Sequence, residues 1–156
     1  MTPDRQSAPP SEQAEPARTS TAPTICRGVR GATTIETNSA PAILEATRDL
    51  LERLIAANQI EPEDVASVWF TTTPDINAEY PAVAARQIGW HDTALMCSHE
   101  LAVPHGLPLC IRILIHWNTS RALAEIQHVY IRGAVNLRPD RQRRPLSAES
   151  STVSSS

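Results

Sequence analysis

The sequence predicts an α/β protein of the α+β kind, a mixed β-sheet with its helices packed on one side, and three features carry that expectation. Residues 24–32 and 110–119 alternate as half-buried strands do. Between them Ile43, Leu44, Thr47, Leu50, Leu51, Leu54 and Ile55 fall at the three-and-four spacing of one helical face. The order of elements is βα, βα, then mostly β, from which a mixed sheet with helices on one side follows most directly.

Along residues 24–32, Ile25, Arg27 and Val29 share one face, while Cys26, Gly28 and Arg30 share the other. The two arginines of RGVRGATTIE therefore point to opposite sides. Asn38 or Ser39 caps the first helix, with Pro41 in its first turn. After the turn QIEPED, residues 65–73 (VASVWFTTT) are β-branched and aromatic, a strand stopped by Pro74-Asp75. A second helix runs from near Pro81 to Ile88 and ends at Gly89. Residues 93–98 form a short strand and 110–119 (CIRILIHWNT) a longer one, with Ile111, Ile113, Ile115 and Trp117 opposite Cys110, Arg112 and Leu114. A helical turn at 122–126 precedes a last strand at 128–132 (HVYIR), whose Tyr130 shares a face with His128.

The first 23 residues hold five of the 13 prolines and no Leu, Ile, Val or aromatic residue, so the leader 1–23 is expected to be disordered. The serine-rich tail 141–156 has the same shortage of apolar surface. The folded unit is residues 24–140, without an internal repeat.

Fourteen basic and 17 acidic residues give 14 − 17 = −3, so no global field draws in nucleic acid or an anionic membrane, and any anion site is local. All the basic residues are arginine. Three cysteines without repeated spacing argue against a disulfide framework and fit a reducing cytoplasm. The N-terminal stretch MTPDRQSAPPSEQAEP has no apolar segment of the kind a signal peptide or membrane span needs.

Four polar features stand out: Arg30 in the first strand, CSHE at 97–100, Arg112 inside an apolar strand, and Tyr130 in the last strand. An arginine flanked by Cys110, Ile111, Ile113 and Leu114 reaches water, pairs with a carboxylate, or awaits an anionic ligand, because burying it unpaired costs several kcal/mol. Arg30 has the same readings, and its glycine neighbours add that something approaches the backbone closely. Cys97, His99, His105 and Cys110 follow C-x-H-x5-H-x4-C, which matches no common zinc frame, so no metal site is expected. Cys97 and His99 lack a third group to orient them as a nucleophile pair. No phosphate-binding glycine loop occurs. From the residues alone, the chain is a small α/β domain whose arginines face a multiply anionic small molecule, with Glu100 and Tyr130 as polar partners.

RGVRGATTIE, TTTPDINAEYPAVAAR at 71–86, CSHEL at 97–101, CIRILIHWNT at 110–119 and HVYIRGAVNLRPD at 128–140 together resemble the monofunctional chorismate mutases of the AroH class. The motifs occur in one order with nearly constant spacing, which makes the resemblance specific over residues 25–140. It implies a mixed α/β fold assembled as a homotrimer with active sites between subunits, and the cofactor-free Claisen rearrangement of chorismate to prephenate on the route to phenylalanine and tyrosine.

Carried over residue by residue, the resemblance gives Arg112 the ether oxygen and a carboxylate of the substrate. It gives Arg30 the side-chain carboxylate, Glu100 the ring hydroxyl with Cys97 nearby, and Tyr130 the enolpyruvyl carboxylate. Tyr80, Leu95 and Met96 are implied as pocket wall, Arg86 as positive potential at the mouth, and Leu137 and Arg138 as a cover. Val83 stands where better-known members carry a lysine at the entrance, 87–89 is one residue shorter, and Met96 replaces a usual hydroxyl residue. A trimeric paralogue that binds an anionic aromatic-pathway metabolite without converting it is the alternative. A structural interaction module would leave Arg112 unexplained. Arg27, on the other face from Arg30, is expected in a structural or intersubunit ion pair.

Overall fold

A computed structural model describes residues 22–139. The tail 141–156 and the leader up to residue 21 lie outside the described residues.

The first strand, β1 (Ile25–Thr34), buries Val29, Gly31 and Thr33 on one side and leaves Arg30 exposed on the other. It runs two residues past the expected end because its antiparallel ladder with β4 (Cys110–Thr119) continues to the Thr34–Cys110 pair. Helix α1 (Ala40–Asn58) begins at Ser39, whose hydroxyl accepts the Ala42 N–H. Asn38 is instead tied to the loop after β2, its carbonyl oxygen accepting the N–H groups of Asn77 and Ala78 at 3.1 Å each. The helix buries Ile43, Ala46, Leu50, Leu51 and Leu54 against the sheet. Gly31 permits this approach: a Cβ there would lie 2.9 Å from the Leu50 and Leu54 methyls and 3.0 Å from the Val129 carbonyl oxygen.

Strand β2 (Val65–Thr72) and helix α2 (Ala82–Gln87) follow, each slightly shorter than expected, and then β3 (Ala94–His99). The five strands, completed by β5 (Val129–Tyr130), lie in the order β3-β2-β4-β1-β5. The central pairs are antiparallel and the outer pairs, β2 with β3 and β1 with β5, are parallel. Both α-helices pack on one face, where Leu50, Leu51, Leu54, Ala82 and Ala85 meet Val29, Val68, Phe70, Ile113 and Ile115. The mixed sheet with helices on one side is the architecture read from the sequence.

The end of the chain differs from expectation. Strand β5 has two residues rather than five, because Arg132 adopts φ of 53° and turns the chain into a 3-10 helix, Arg132–Leu137. That turn lies on the face away from the α-helices and buries Ala134 against Ala32 and Cys110, with Tyr130 and Leu137 beside them. One end of the otherwise open face is thereby roofed.

Two ties fix the segments that flank the sheet. The side chain of buried Asn58 donates to the carbonyls of Leu54 (3.0 Å) and Gln127 (2.8 Å) and accepts the Gln127 N–H (2.8 Å), which sets where β5 begins. Asn58→Leu leaves both Gln127 groups without this partner, and an expected loss of about 2–3 kcal/mol follows. Urea denaturation measures it, and an unchanged midpoint would show that the tie is dispensable.

Asp75 accepts the Leu109 N–H at 2.8 Å and the Thr73 hydroxyl, pinning the entry of β4. Burial pushes its carboxyl up, but the hydrogen bonds from Thr73 and Leu109 outweigh that and hold it below the ordinary value of 3.8. A lowered carboxyl stabilises the fold above its unfolded value and loses that contribution as pH falls through the folded one. Asp75→Asn is therefore expected to remove part of the acid-side fall in thermal midpoint below about pH 4. An unaltered acid limb would exclude the tie as a source of that fall.

Candidate active site

Strand register builds the site. Across the open face, Thr71 of β2 is paired with Ser98 of β3 and with Arg112 of β4, Arg112 with Ala32 of β1, and Ala32 with Tyr130 of β5. One row thus carries Ser98, Thr71, Arg112, Ala32 and Tyr130 over the whole sheet. The row beneath carries Met96, Trp69, Leu114 and Arg30. Small Ala32 leaves room between the arginines and Tyr130, and the C-terminal turn closes the end with Leu137 and Arg138.

The result is a cavity of about 360 Å³ lined by Arg30, Arg112, Glu100, Tyr130, Leu137 and Arg138, together with Trp69, Thr71 and Leu114. Its volume suits a ligand of about metabolite size. Six of the residues singled out in the sequence meet here, drawn from three strands, the loop after β3 and the C-terminal turn.

Arg112 and Glu100 face each other, Nε to Oε1 3.5 Å, both side chains about two-thirds buried. The same Glu100 oxygen accepts the Thr71 hydroxyl at 2.5 Å, and the Glu100 N–H donates to the Thr72 carbonyl at 2.8 Å. Arg112 Nε is buried and makes no hydrogen bond among the described residues, since its approach to Glu100 lacks hydrogen-bond geometry. The guanidinium is thus charge-compensated but not saturated, which suits an anion that supplies the missing acceptors. Of the readings open to Arg112, the structure places it beside a carboxylate and at a cavity.

Arg30 presents its side chain on the cavity face, and its N–H donates to His128 Nδ1 at 3.0 Å, so an imidazole extends the β1–β5 ladder by one rung. Arg27, on the helix side, hydrogen-bonds through Nε to the Arg121 carbonyl at 3.2 Å. Buried Cys110, two residues before Arg112, has its thiol pushed up by burial, with Arg112 pulling the other way. Cys97 is pushed up by burial against the opposing pull of Ala82 and Arg86. All three cysteines are free.

The remaining residues named from the sequence gather elsewhere. Tyr80 and Cys97 line a second cavity of about 380 Å³ with Asn77, Glu79, Ser98 and His99. Val83 and Arg86 lie on α2, close by. Leu95 and Met96, neighbours on β3, point to opposite sides: Leu95 packs against the helix-side core and Met96 stands on the open face, 58% exposed. Within one chain Met96 adjoins the first group through its pairing with Trp69, while the two cavities share no lining residue. Thr71, Trp69 and Leu114 were not singled out in the sequence, although the alternation of VASVWFTTT already sets Trp69 and Thr71 opposite Val68 and Phe70.

Comparison with known proteins decides what this arrangement belongs to. A family model described as chorismate mutase type I matches residues 26–141. The chain belongs to that family. Two relatives named Chorismate mutase AroH are similar over 117 residues, 74% of this chain. The one from Thermus thermophilus is 48% identical with 96% of its length covered, and the one from Bacillus subtilis (strain 168) is 42% identical with 92% covered. The solved chorismate mutase from Clostridium thermocellum superposes with a TM-score of 0.68 at 44% identity, covering 69% of this chain and 96% of that one. Every site residue of this type I chorismate mutase, from Arg30 to Arg138, lies within the matched stretch, and the leader and tail lie almost wholly outside it.

Proposed function

We propose that the cavity on the open sheet face is where this chorismate mutase rearranges chorismate to prephenate, with Arg112, Arg30, Glu100 and Tyr130 as its working groups. The observation that carries the reading is Arg112, whose buried Nε makes no hydrogen bond among the described residues and which stands on a strand between a carboxylate and a second arginine.

The chemistry asks for such groups. Chorismate is a dianion, and in its pericyclic transition state the ether C–O bond lengthens ahead of C–C bond formation. Negative charge gathers on the enolpyruvyl oxygen and positive character on the ring. The electrons move within the substrate and no proton is transferred, so the step calls for no nucleophile or cofactor. It calls for a fixed chair geometry and for charges placed where charge develops. Arg112 donates to the ether oxygen and a carboxylate, and Arg30 holds the side-chain carboxylate with its planar fork. Glu100 accepts from the ring hydroxyl and faces the positive ring. Tyr130 donates to the enolpyruvyl carboxylate, and Leu137 and Arg138 close the cavity.

The second group, Tyr80, Val83, Arg86, Leu95, Met96 and Cys97, enters this scheme through assembly. The open face carries Trp69 of β2 at 43% and its neighbour Met96 of the edge strand β3 at 58% exposure in one chain, an unusual display of adjoining large apolar groups. Tyr80 is 68% exposed and lines a different cavity from Arg112. A homotrimer that packs the open faces together covers this apolar row and brings one subunit's Tyr80–Arg86 group to the next subunit's cavity. Each site is then shared. A cytoplasmic setting fits the three free cysteines, and no helix among the described residues is long and apolar enough to cross a membrane.

Loss of chorismate absorbance, followed by identification of prephenate, tests the reading. Catalysed turnover by the folded oligomer is the expected result; binding without turnover would establish the non-catalytic paralogue instead. Truncation from Leu137 is expected to raise KM more than it lowers kcat, and unchanged kinetics would refute the cover. The functional unit is residues 24–140, so deleting residues 1–22 is expected to leave turnover intact.

A further inference from the structure

Thr71 lines the cavity, yet its hydroxyl is committed to Glu100 and not to open space. Its position is the middle of the site: on β2, paired across one ladder with Arg112 and across the other with Ser98, which lies two residues before Glu100. The Glu100 main chain is fixed to the same strand by its N–H bond to the Thr72 carbonyl. The Glu100 side chain, in turn, is held by the Thr71 hydroxyl.

A carboxylate beside a guanidinium ordinarily closes into a fork with two parallel hydrogen bonds at 2.7–2.9 Å. Here the pair stops at 3.5 Å without hydrogen-bond geometry, and the oxygen nearest Arg112 is the one that already accepts from Thr71. A closed fork would occupy the donors that an anionic ligand needs. The open pair keeps compensating charge nearby while leaving those donors available.

We propose that Thr71 is a positioning residue that holds Glu100 short of a closed ion pair with Arg112. It acts through Glu100, and its contribution to catalysis is to keep the Arg112 fork open for a dicarboxylate substrate. This rests on the reading of the cavity as the mutase site.

Thr71→Val is nearly isosteric and lacks the donor, while Thr71→Ser retains it. In Thr71→Val the pair is expected to close, raising KM and lowering kcat/KM by about tenfold, which corresponds to one hydrogen bond to a charged group. Thr71→Ser is expected to stay within about twofold of wild type, and both variants to keep the wild-type thermal midpoint. In a Glu100→Gln background, which lacks the competing carboxylate, Thr71→Val is expected to have no further effect on KM. A crystal structure of Thr71→Val is expected to show Arg112 and Glu100 joined by direct hydrogen bonds. Wild-type kinetics in Thr71→Val, equal impairment of the Ser and Val variants, or an unclosed pair in the crystal would each overturn the proposal. Absence of turnover in the wild type would instead overturn the reading of the cavity, and the crystal structure would still decide whether Thr71 holds the pair apart.

Discussion

Arg112→Ala is expected to lower kcat for chorismate by on the order of 10²–10³, with a smaller rise in KM, because it removes a donor aimed at oxygen charge that exists only in the transition state. The magnitude is that of losing one preorganised donor to a developing oxyanion, about 3–4 kcal/mol. The structure makes the variant interpretable. Arg112 is not part of the helix-side core, and its strand is pinned on both edges by β1 and β2. Its loss strands the partly buried Glu100 carboxylate beside the cavity, which adds repulsion toward an incoming dianion. A change confined to KM would mean that Arg112 only binds the ground state.

Two inactive variants are expected to restore one another. Arg112→Ala damages the cavity half of the proposed shared site, and a Tyr80→Ala, Arg86→Ala double variant damages its other half. Neither is expected to turn over chorismate well by itself. Co-expressed in equal amounts, they form mixed trimers in which a site is intact whenever an undamaged cavity meets an undamaged neighbour. Random assembly gives about a quarter of the wild-type sites. Activity of a mixture of the separately purified proteins before subunit exchange sets the baseline. Mixed oligomers no more active than that baseline would mean that both halves come from the same subunit. In the proposed trimer Trp69 is a central contact of the covered face, and a large aromatic at the middle of an interface carries much of its binding energy.

Much of this was legible in the sequence because the underlying signals are local. Strand alternation alone separated Arg30 from Arg27, and the structure puts Arg30 at the cavity and Arg27 on the helix side. The helical spacing from Ile43 to Ile55 defined the face that α1 buries. The anomaly of Arg112 within CIRILIHWNT pointed to a site before any partner was known. What stayed hidden depends on pairing between distant segments. No local pattern says that Thr71 lies level with Arg112, because that is a matter of register between β2 and β4. The shortening of β5 follows from the left-handed Arg132, a conformation disfavoured for a non-glycine residue and enforced by the packing of Ala134 on Ala32. Likewise, the choice of Ser39 over Asn38 as helix cap was settled by the Asn77–Ala78 loop, which takes the Asn38 side chain for itself.

In the proposed mechanism chorismate reacts between Arg112, Arg30 and Glu100 in a site completed by a neighbouring subunit. A crystal structure of the oligomer with a bicyclic dicarboxylate analogue of the transition state tests it most directly. Arg112 is expected within hydrogen-bond distance of the analogue's ether oxygen, Arg30 on a carboxylate and Glu100 on the hydroxyl, with Tyr80 and Arg86 reaching the ligand from the next subunit. An analogue bound away from Arg112, or enclosed by the residues of a single chain, would contradict it.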